Sequence, residues 1–449
     1  MNLILCWEWI IRQDVRVKTC RRQPEGFPGK DCMFRRFAAL GAPPLALILA
    51  TLLLVRYHPL ILDTLWGGRP PRAWREVLHY IPLMLAAAGM AAGLRMHSSG
   101  LVIVMASLAA TAAALMPAGL PGLPLLPKDG GASTGLRILL PVHYLLGYGT
   151  LGHRWRSRRG LAALTTAMVS AGLLCCALVY DTDLEALLTR CMAPLADLPF
   201  SKALRGERWC SLLPALITAG FLALRAVRTH NPLAAGLSAS LLVLLPALRM
   251  GWGTFPLAIL VSAAVLAVLV GLLESMWTLA YCDGLTGLPG RRALNQALGQ
   301  LGGRYAIAML DVDHFKRFND RYGHRTGDDV LKMIAVRMRR IPKGRPFRYG
   351  GEEFAVLFAG RAVQSAAERM EHFRASLART PFVLRHLPRA DKKARGRKTG
   401  PTAMRRQVTI TVSIGLAESG KAHRRAADVL AEADKALYKA KSAGRNRVV

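Results

Sequence analysis

The sequence predicts an all-α polytopic membrane region followed by an α+β domain. From about residue 38 to 276, apolar runs long enough to cross a bilayer follow one another, separated by short charged patches. From residue 277 onward, strand-like and helix-like patterns interleave as in a globular domain. The hydrophobic content of 52% is high for a soluble protein. We therefore divide the chain into a basic N-terminal tail (1–37), a membrane region (38–276) and a C-terminal domain (277–449).

The membrane region contains about eight candidate transmembrane helices, because each run is near the roughly 20 residues that span the hydrocarbon core. They are 38–56, 77–94, 99–117, 138–152, 160–180, 210–227, 232–248 and 253–276. Arginine-rich loops indicate their orientation, since Lys and Arg are retained on the cytoplasmic side. HRWRSRR (153–159) and RAVR (225–228) favour a cytoplasmic C-terminal domain, whereas RPPRAWR (69–75) argues against that arrangement.

Three features outside the apolar runs leave alternatives open. The tail lacks the order of a signal peptide, and Met33, followed by two arginines, is an alternative start to Met1. The loop 181–209 is either a periplasmic sensing loop or a connector. Cys191 and Cys210 either form a disulfide in an oxidising periplasm or remain free, and the eight cysteines contain no CxxC pair that would indicate a zinc site.

The formal net charge of +33 raises the possibility of a nucleic-acid partner. Much of the charge flanks apolar runs or lies in the run LRHLPRADKKARGRKTGPTAMRRQ (384–407), and no zinc finger, helix-turn-helix or RNA-binding aromatic motif is present. We therefore expect membrane lipids and phosphates, and no specific nucleic acid, as partners. The run 384–407 is expected to be disordered, or to lie on the anionic inner leaflet.

The C-terminal domain reads in the order strand, helix, hairpin, helix, strand, helix. The elements are YAIAML (305–310), GDDVLKMIAVRMRR (327–340), FRYGGEEFAVLF (347–358), RAVQSAAERMEHFRASLA (361–378), VTITVSIGL (408–416) and RAADVLAEADKALYKAKSAG (425–444). Short apolar or alternating runs indicate strands, and apolar residues at helical spacing indicate helices. This order favours a central, mostly antiparallel sheet flanked by helices.

Acidic residues stand where apolar ones are expected. Asp311 ends a buried strand, and Glu352 and Glu353 lie in the hairpin turn beside Gly350 and Gly351. Buried carboxylates need a partner, Mg²⁺ prefers carboxylate oxygen, and glycine leaves backbone free for close approach of a phosphate. The pattern suits a nucleoside triphosphate with a divalent cation. The alternative is that GGEE is a polar turn and Asp311 only terminates a strand.

Five ordered blocks make the C-terminal domain resemble the GGDEF-domain diguanylate cyclases, whose fold is nucleotidyl cyclase-like, or palm-like. RYGGEEF matches the signature in its GGEEF form, and the other blocks are DGLTGLPGRRAL, LDVDHFKRFNDRYGHRTGDDVL, VTITVSIGLA and ADKALYKAKSAGRNRV. The resemblance implies a homodimer that joins two GTP into cyclic di-GMP and two pyrophosphates with Mg²⁺ or Mn²⁺. Together with the apolar runs, it predicts an enzyme of the bacterial inner membrane that is controlled by an N-terminal membrane sensor region. The alternative is an inactive GGDEF domain that binds GTP or cyclic di-GMP as a relay.

The resemblance also implies roles for individual residues. Metal would be held by Asp311, the Val312 carbonyl, Glu352 and Glu353; catalysis would involve Glu352, Glu353 and Lys316; GTP would contact Asn319, Asp328, Phe315, His324, Gly350, Gly351, Lys441 and Arg445. Ordinary structural roles remain open, such as a helix cap for Asp328 and a core position for Phe315.

Two departures from the family pattern concern the turn that opens the domain and the product site. Gly290 stands where the family usually has Asn; since glycine suits a turn, we expect little effect, and the alternative is the loss of a side-chain hydrogen bond. No acid lies between Arg340 and Glu352, where many members carry an RxxD product site. Feedback by product at that site is therefore not expected. The input signal is not evident from the sequence.

Overall fold

The computed structural model describes residues 30–66, 71–115, 131–154, 156–179, 212–249, 254–301, 303–384, 407–420 and 425–449. These residues form two compact units with a boundary between Ser275 and Met276, and each unit is described by itself. Most of the tail 1–37, the loop 181–209, Cys191, Cys210 and nearly all of the run 384–407 lie outside the described residues.

The first unit is all-helical in its described part. Its helices are α1 (Lys30–Trp66), α2 (Arg72–Arg95), α3 (Ser99–Leu115), α4 (Gly131–Thr150), α5 (Arg158–Val179), α6 (Leu213–Thr229), α7 (Pro232–Arg249) and α8 (Thr254–Tyr281), the last of which runs past the unit boundary. Each of the eight apolar runs coincides largely with one of these helices. The all-α character expected from the sequence is therefore observed.

The number of membrane-spanning helices is not confirmed. Among the described residues, only Leu45–Thr64 and Phe255–Tyr281 are long and apolar enough to cross a bilayer. The first is mostly exposed and the second mostly buried, and a buried core helix of a soluble protein passes the same test. The other helices are too short, too polar or both. A polytopic membrane region therefore remains a proposal.

Buried polar groups within the first unit are paired across helices. His143 on α4 hydrogen-bonds Ser107 of α3 (Nδ1–Oγ, 2.6 Å) and Ser170 of α5 (Nε2–Oγ, 2.9 Å). The Tyr144 hydroxyl lies 2.6 Å from the Ser240 hydroxyl on α7. Since an unpaired polar group in an apolar interior is costly, these pairs fix which helices are neighbours.

The second unit contains five helices, a 3₁₀ turn and six strands among its described residues. In chain order they are α9 (Arg291–Gly299), β1 (Tyr305–Val312), α10 (Phe315–Tyr322), α11 (His324–Met338), β2 (Arg345–Arg348), β3 (Glu353–Ala359), the 3₁₀ turn Gly360–Ser365, α12 (Ala366–Arg379), β4 (Phe382–Val383), β5 (Gln407–Val408), β6 (Val412–Glu418) and α13 (Ala426–Ser442). The order confirms an α+β domain.

The main sheet has the strand order β2-β3-β1-β6, and every pairing in it is antiparallel. Because successive side chains of a strand point to opposite faces of the sheet, residues of β1 pack into two separate hydrophobic cores. Its even-numbered residues, such as Ala308, pack with α11 and α12, whereas Ile307 and Met309 pack with α9 and α13. Asp311 follows the odd-numbered residues and so faces α13.

Three local predictions needed correction, and two helices were missed. Glu353 is the first residue of β3 and not part of the turn, because it pairs with Asp311. The predicted strand 408–416 is divided into β5 and β6, since β5 pairs with β4 in a separate two-stranded sheet. The helix predicted from residue 327 begins at His324, after a break from α10 at Gly323, whose φ is +82°. Helices α9 and α10 were not predicted.

Candidate active site

The site begins where β1 ends, between β3 and β6. In the register of the sheet, Asp311 lies opposite Glu353 on β3 and opposite Ser413 on β6. Oδ2 of Asp311 accepts from Nζ of Lys441 on α13, 2.8 Å away, and the Asp311 residue is only 6% exposed. The fold therefore brings an acid of the central strand, an acid of the hairpin and a base of the last helix to one edge of the sheet.

The close packing of α13 on β6 sets the reach of Lys441. A Cβ on Gly415 would lie 2.0 Å from the backbone nitrogen of Leu437 and 2.2 Å from the carbonyl oxygen of Ala433. Only the absence of a side chain at this position lets the helix backbone approach the strand so closely. The Lys441 ammonium reaches Asp311 from the last turn of the same helix.

Two carboxyls at this edge, those of Asp311 and Glu352, have pKa values above those of isolated acids. Burial raises the pKa of Asp311, and the hydrogen bond and charge of Lys441 oppose that rise. Burial also raises the pKa of Glu352, and the negative charges of Asp311 and Glu353 add to it. The three acids thus interact electrostatically, and positive charge brought into the site would relieve their repulsion.

The two glycines of the turn have different surroundings. The backbone N–H groups of Tyr349 and Gly350 both donate to the carbonyl oxygen of Glu353, at 2.9 and 3.1 Å. A Cβ on Gly350 would lie 2.7 Å from Oε2 of Glu353, so a side chain there would displace this carboxylate. A Cβ on Gly351 would have no described residue within 4 Å, which leaves the backbone open to a ligand.

The Arg348 side chain hydrogen-bonds the backbone of this turn, a role that the sequence analysis did not assign. Its Nη2 donates to the carbonyl oxygen of Gly351 (2.6 Å), and its Nε donates to that of Gly350 (3.1 Å). Its Nη1 donates to Oδ1 of Asp283 (2.7 Å), which also accepts from the backbone and hydroxyl of Thr286. The opening block DGLTGL therefore braces the signature turn. Arg348 lies in RYGGEEF and Asp283 lies in DGLTGLPGRRAL, so their place in these motifs is the sequence signal that could have identified the contact.

A second polar position lies between α10 and α11. Oδ1 of Asn319 is buried and has no hydrogen-bond partner among the residues that the structure describes. A Cβ on Gly327 would lie 1.9 Å from this oxygen and 3.1 Å from Cζ of Phe315, so glycine is what makes room for the Asn319 carboxamide. Gly327 was also missed by the sequence analysis. A buried acceptor without a donor is unusual in a folded protein and fits a ligand that donates a hydrogen bond.

The remaining candidates lie around these two positions. Lys316 is exposed on the first turn of α10, and His324 is the exposed first residue of α11. Asp328 is half-buried on α11, next to Gly327. The side chain of Phe315 belongs to the core, with the residue 7% exposed. Val312, the last residue of β1, is buried, and Arg445 follows α13 with its charge acting on Asp311.

The chemistry of this edge fits Mg²⁺. Among the described residues, no three His, Cys, Asp or Glu side chains are gathered closely enough to hold a metal by themselves. Mg²⁺ does not need such a cage, because it is usually bound by one or two carboxylates together with waters and substrate phosphates. Asp311 and Glu352, with the backbone at Val312, provide that kind of partial donor set.

Sequence comparison assigns this part of the chain. Residues 280–390 and 383–447 match the family model described as "Diguanylate cyclase, GGDEF domain". The C-terminal domain of this chain is therefore a GGDEF domain.

Three similar proteins illustrate the extent of the likeness. The diguanylate cyclase DgcP of Pseudomonas aeruginosa is 37% identical over 190 residues, which cover 39% of this chain and 25% of DgcP. The response regulator PleD of Caulobacter vibrioides is 32% identical over 186 residues, which cover 39% of this chain and 37% of PleD. The crystal structure of the coiled coil and GGDEF domain of DgcB from Caulobacter crescentus, in complex with c-di-GMP, is 33% identical with a TM-score of 0.34, covering 40% of this chain and 91% of that one.

Proposed function

We propose that the chain is a membrane-bound diguanylate cyclase, which condenses two GTP molecules into cyclic di-GMP and two pyrophosphates. The observation that carries this proposal is the convergence of Asp311, Glu352, Glu353 and Lys441 at one edge of the sheet, beside the open backbone of Gly351. The catalytic domain belongs to a family whose curated members include diguanylate cyclases. The matched segments cover 25% of the length of DgcP and 37% of the length of PleD. We therefore base the proposed activity on the residues of this site.

Asp311, the Val312 carbonyl and Glu352 would hold one Mg²⁺ or Mn²⁺, and Glu353 would serve a second. Such cations, when bound, neutralise phosphate charge and align the attacking and leaving oxygens. The raised pKa values of Asp311 and Glu352 support this role, because a cation stabilises both carboxylates in their charged form.

Asn319 and Asp328 would select guanine over adenine. The Watson–Crick edge of guanine carries two adjacent donors, N1–H and N2–H₂, whereas that of adenine carries one donor and one acceptor. The partnerless Oδ1 of Asn319 and the carboxylate of Asp328 are both acceptors, which matches guanine. The buried Phe315 ring supports this position from the core side.

Basic residues would hold the triphosphate. Lys316 would stand beside the reacting phosphate and neutralise charge in the transition state, and Lys441 and Arg445 would hold the terminal phosphates. Gly350 and Gly351 would let the substrate approach the turn, and His324 would lie near the nucleotide. Support comes from Lys441 and Arg445, whose positive charges both act on Asp311 at this edge of the sheet.

The bond-forming step would require two copies of the domain, each holding one GTP. The 3′ oxygen of one GTP attacks the α-phosphorus of the other, the bond to pyrophosphate breaks, and the proton of the 3′-hydroxyl passes to Glu352 or Glu353. The same step with the roles exchanged closes the ring. A homodimer would therefore be the active form.

The first unit would anchor the enzyme in the bacterial inner membrane as a multi-pass protein and would control it. Two described helices have the length and composition of membrane spans, and one of them, α8, ends at Tyr281, two residues before Asp283 of the opening block. The GGDEF domain would be cytoplasmic, where GTP is available.

The test uses the purified full chain in detergent or in native membranes, supplied with GTP and Mg²⁺. We expect cyclic di-GMP and pyrophosphate from the wild type, none from Asp311→Ala or Glu352→Ala, and wild-type rates from Glu368→Gln, which removes an exposed acid on α12. Binding of GTP without turnover would contradict the proposal and favour a nucleotide-binding relay.

A further inference from the structure

Asp313 lies two residues after Asp311, but its carboxylate is occupied by the protein itself. Oδ2 accepts from the Thr411 hydroxyl at 2.7 Å, and Oδ1 accepts from the Ser413 hydroxyl at 2.7 Å. Oδ2 also accepts from the backbone N–H of Asn446 at 3.2 Å. Asp313 therefore links the start of β6, at Thr411 and Ser413, to the turn that follows α13.

That turn has an unusual backbone. Gly444, Arg445 and Asn446 have φ values of +108°, +63° and +45°, so two successive residues with side chains adopt the left-handed region. Such conformations are disfavoured for residues with a Cβ and persist only where the surroundings impose them. Arg445, in the middle of the turn, is the residue proposed to hold a terminal phosphate.

Two contacts from outside the turn act on Asn446, in addition to the bond from the Arg445 N–H to the carbonyl oxygen of Ala440 at 3.0 Å. One is the bond from the Asn446 N–H to Asp313. The other comes from α12, where Nη1 of Arg374 donates to Oδ1 of Asn446 at 2.8 Å, while Nε of Arg374 donates to Glu371 at 2.9 Å. Beyond the turn, the chain is fixed beside β6, with the N–H of Ile414 donating to the carbonyl of Arg447 at 2.9 Å.

We propose that Asp313 and Arg374 are positioning residues that hold the left-handed turn at Arg445, so that its guanidinium faces the triphosphate of the substrate. The proposal rests on the proposed function for the identity of that substrate. Neither residue touches GTP; each acts through Asn446. This assigns a role to Asp313 that differs from metal binding, although it stands in the same motif as Asp311.

The test measures binding of pyrophosphate, with Mg²⁺, to the purified full chain, and the KM and kcat for GTP. We expect Arg374→Leu to weaken pyrophosphate binding about tenfold and to raise the KM for GTP about tenfold, with kcat within about twofold, because one charge-assisted hydrogen bond is lost. The matched control is Arg379→Leu, which removes the same charge from an exposed position on α12 and should leave both values unchanged.

A rescue variant separates positioning from stability. Asn446→Gly in the Arg374→Leu background should recover most of the pyrophosphate affinity, because glycine adopts positive φ without a side-chain restraint. Asp313→Asn, which loses acceptor capacity, should weaken pyrophosphate binding at least as much as Arg374→Leu. Pyrophosphate affinity that is unchanged in both Asp313→Asn and Arg374→Leu would overturn the inference. This holds even if the wild type converts GTP to cyclic di-GMP, as the proposed function expects. A different result would overturn the proposed function alone: the wild type makes no cyclic di-GMP but binds pyrophosphate tightly, and both variants weaken that binding.

Discussion

The ammonium of Lys441 lies 2.8 Å from the carboxylate of Asp311, and this ion pair joins the last helix to the central strand of the sheet. The Asp311 side chain is 9% exposed and that of Lys441 is 34% exposed, so the pair is partly shielded from water. Removing the base leaves a buried carboxylate without its partner, whereas removing both charges does not.

We therefore expect Lys441→Met to lower the free energy of unfolding by about 1–3 kcal/mol. Asp311→Asn added to Lys441→Met should restore most of that loss, while both variants stay inactive. Calorimetric unfolding of the full chain and a cyclic di-GMP assay separate the two effects. Equal stability of the wild type and Lys441→Met would mean that the ion pair does not contribute to the fold.

The contact between Asp283 and Arg348 gives a pH dependence with a definite sign. Burial raises the pKa of Asp283, but hydrogen bonds from Thr286 and Arg348 outweigh it and hold the pKa below its usual value of 3.8. A lowered pKa in the folded state stabilises the fold above the unfolded-state pKa, and this contribution disappears as the pH falls through the folded-state pKa.

Asp283→Asn should therefore be less stable than the wild type by about 1–3 kcal/mol at neutral pH. The difference should shrink as the pH falls below about 4. Unfolding of the full chain by calorimetry from pH 7 to 3 measures it. Asp329→Asn is the control, because the pair of Asp329 with Lys332 is exposed and 3.7 Å long. A difference that grows toward low pH would contradict the assigned cause.

Gly415 offers a test of how α13 positions the site. Gly415→Ala would place a Cβ about 2 Å from helix backbone, which cannot rotate away. We expect α13 to shift, with about 1–3 kcal/mol of destabilisation and a large loss of activity, because Lys441 moves with the helix. Gly420→Ala, where a Cβ has no neighbour within 4 Å in the described part of the chain, is the matched control and should behave as the wild type.

Much of this site follows from the sequence, and the parts that do not are those made by long-range contacts. Asp311, Glu352 and Glu353 are evident because acids interrupt buried strands. Arg348 was not assigned a role, because its partner Asp283 lies 65 residues away in the chain and no local pattern reports that contact.

Gly327 and Gly415 show a second kind of limit. Each glycine is explained by what approaches it in three dimensions, a carboxamide in one case and a helix backbone in the other. The first unit shows a third, since apolar runs predict helices well but do not say whether lipid or protein surrounds them. Only two described helices pass the criteria for a span.

Nucleobase selection can be tested through Gly327. Gly327→Ala would place a Cβ on Oδ1 of Asn319 and displace the carboxamide proposed to read guanine. We expect the KM for GTP to rise about tenfold and the preference for GTP over ATP to fall, because one base contact is worth about 1–3 kcal/mol. Competition assays with the two nucleotides measure it, with Gly299→Ala as the control. Unchanged preference would place the guanine contact elsewhere.

Replacing Gly290, which stands where the family usually has Asn, by a capping residue is expected to stabilise the protein. Gly290 is the N-cap of α9 with φ −88° and ψ −174°, and it provides no side-chain cap, while the first turn of the helix contains no acid. A Cβ there would meet only the carbonyl oxygen of Tyr281 at 3.6 Å, an ordinary contact. Asn or Asp at an N-cap accepts a hydrogen bond from the helix backbone that glycine does not.

Gly290→Asn should therefore raise the free energy of unfolding by a few tenths of a kcal/mol, and Gly290→Asp by somewhat more, because an acid also complements the helix dipole. Gly290→Ala should lower it, since alanine is a poor cap in the same backbone. Calorimetry on the three variants ranks them. A ranking in which Ala equals or exceeds Asn would mean that the end of α9 is fixed by its packing and by the bond from the Gly290 N–H to the Tyr281 carbonyl, and not by its cap.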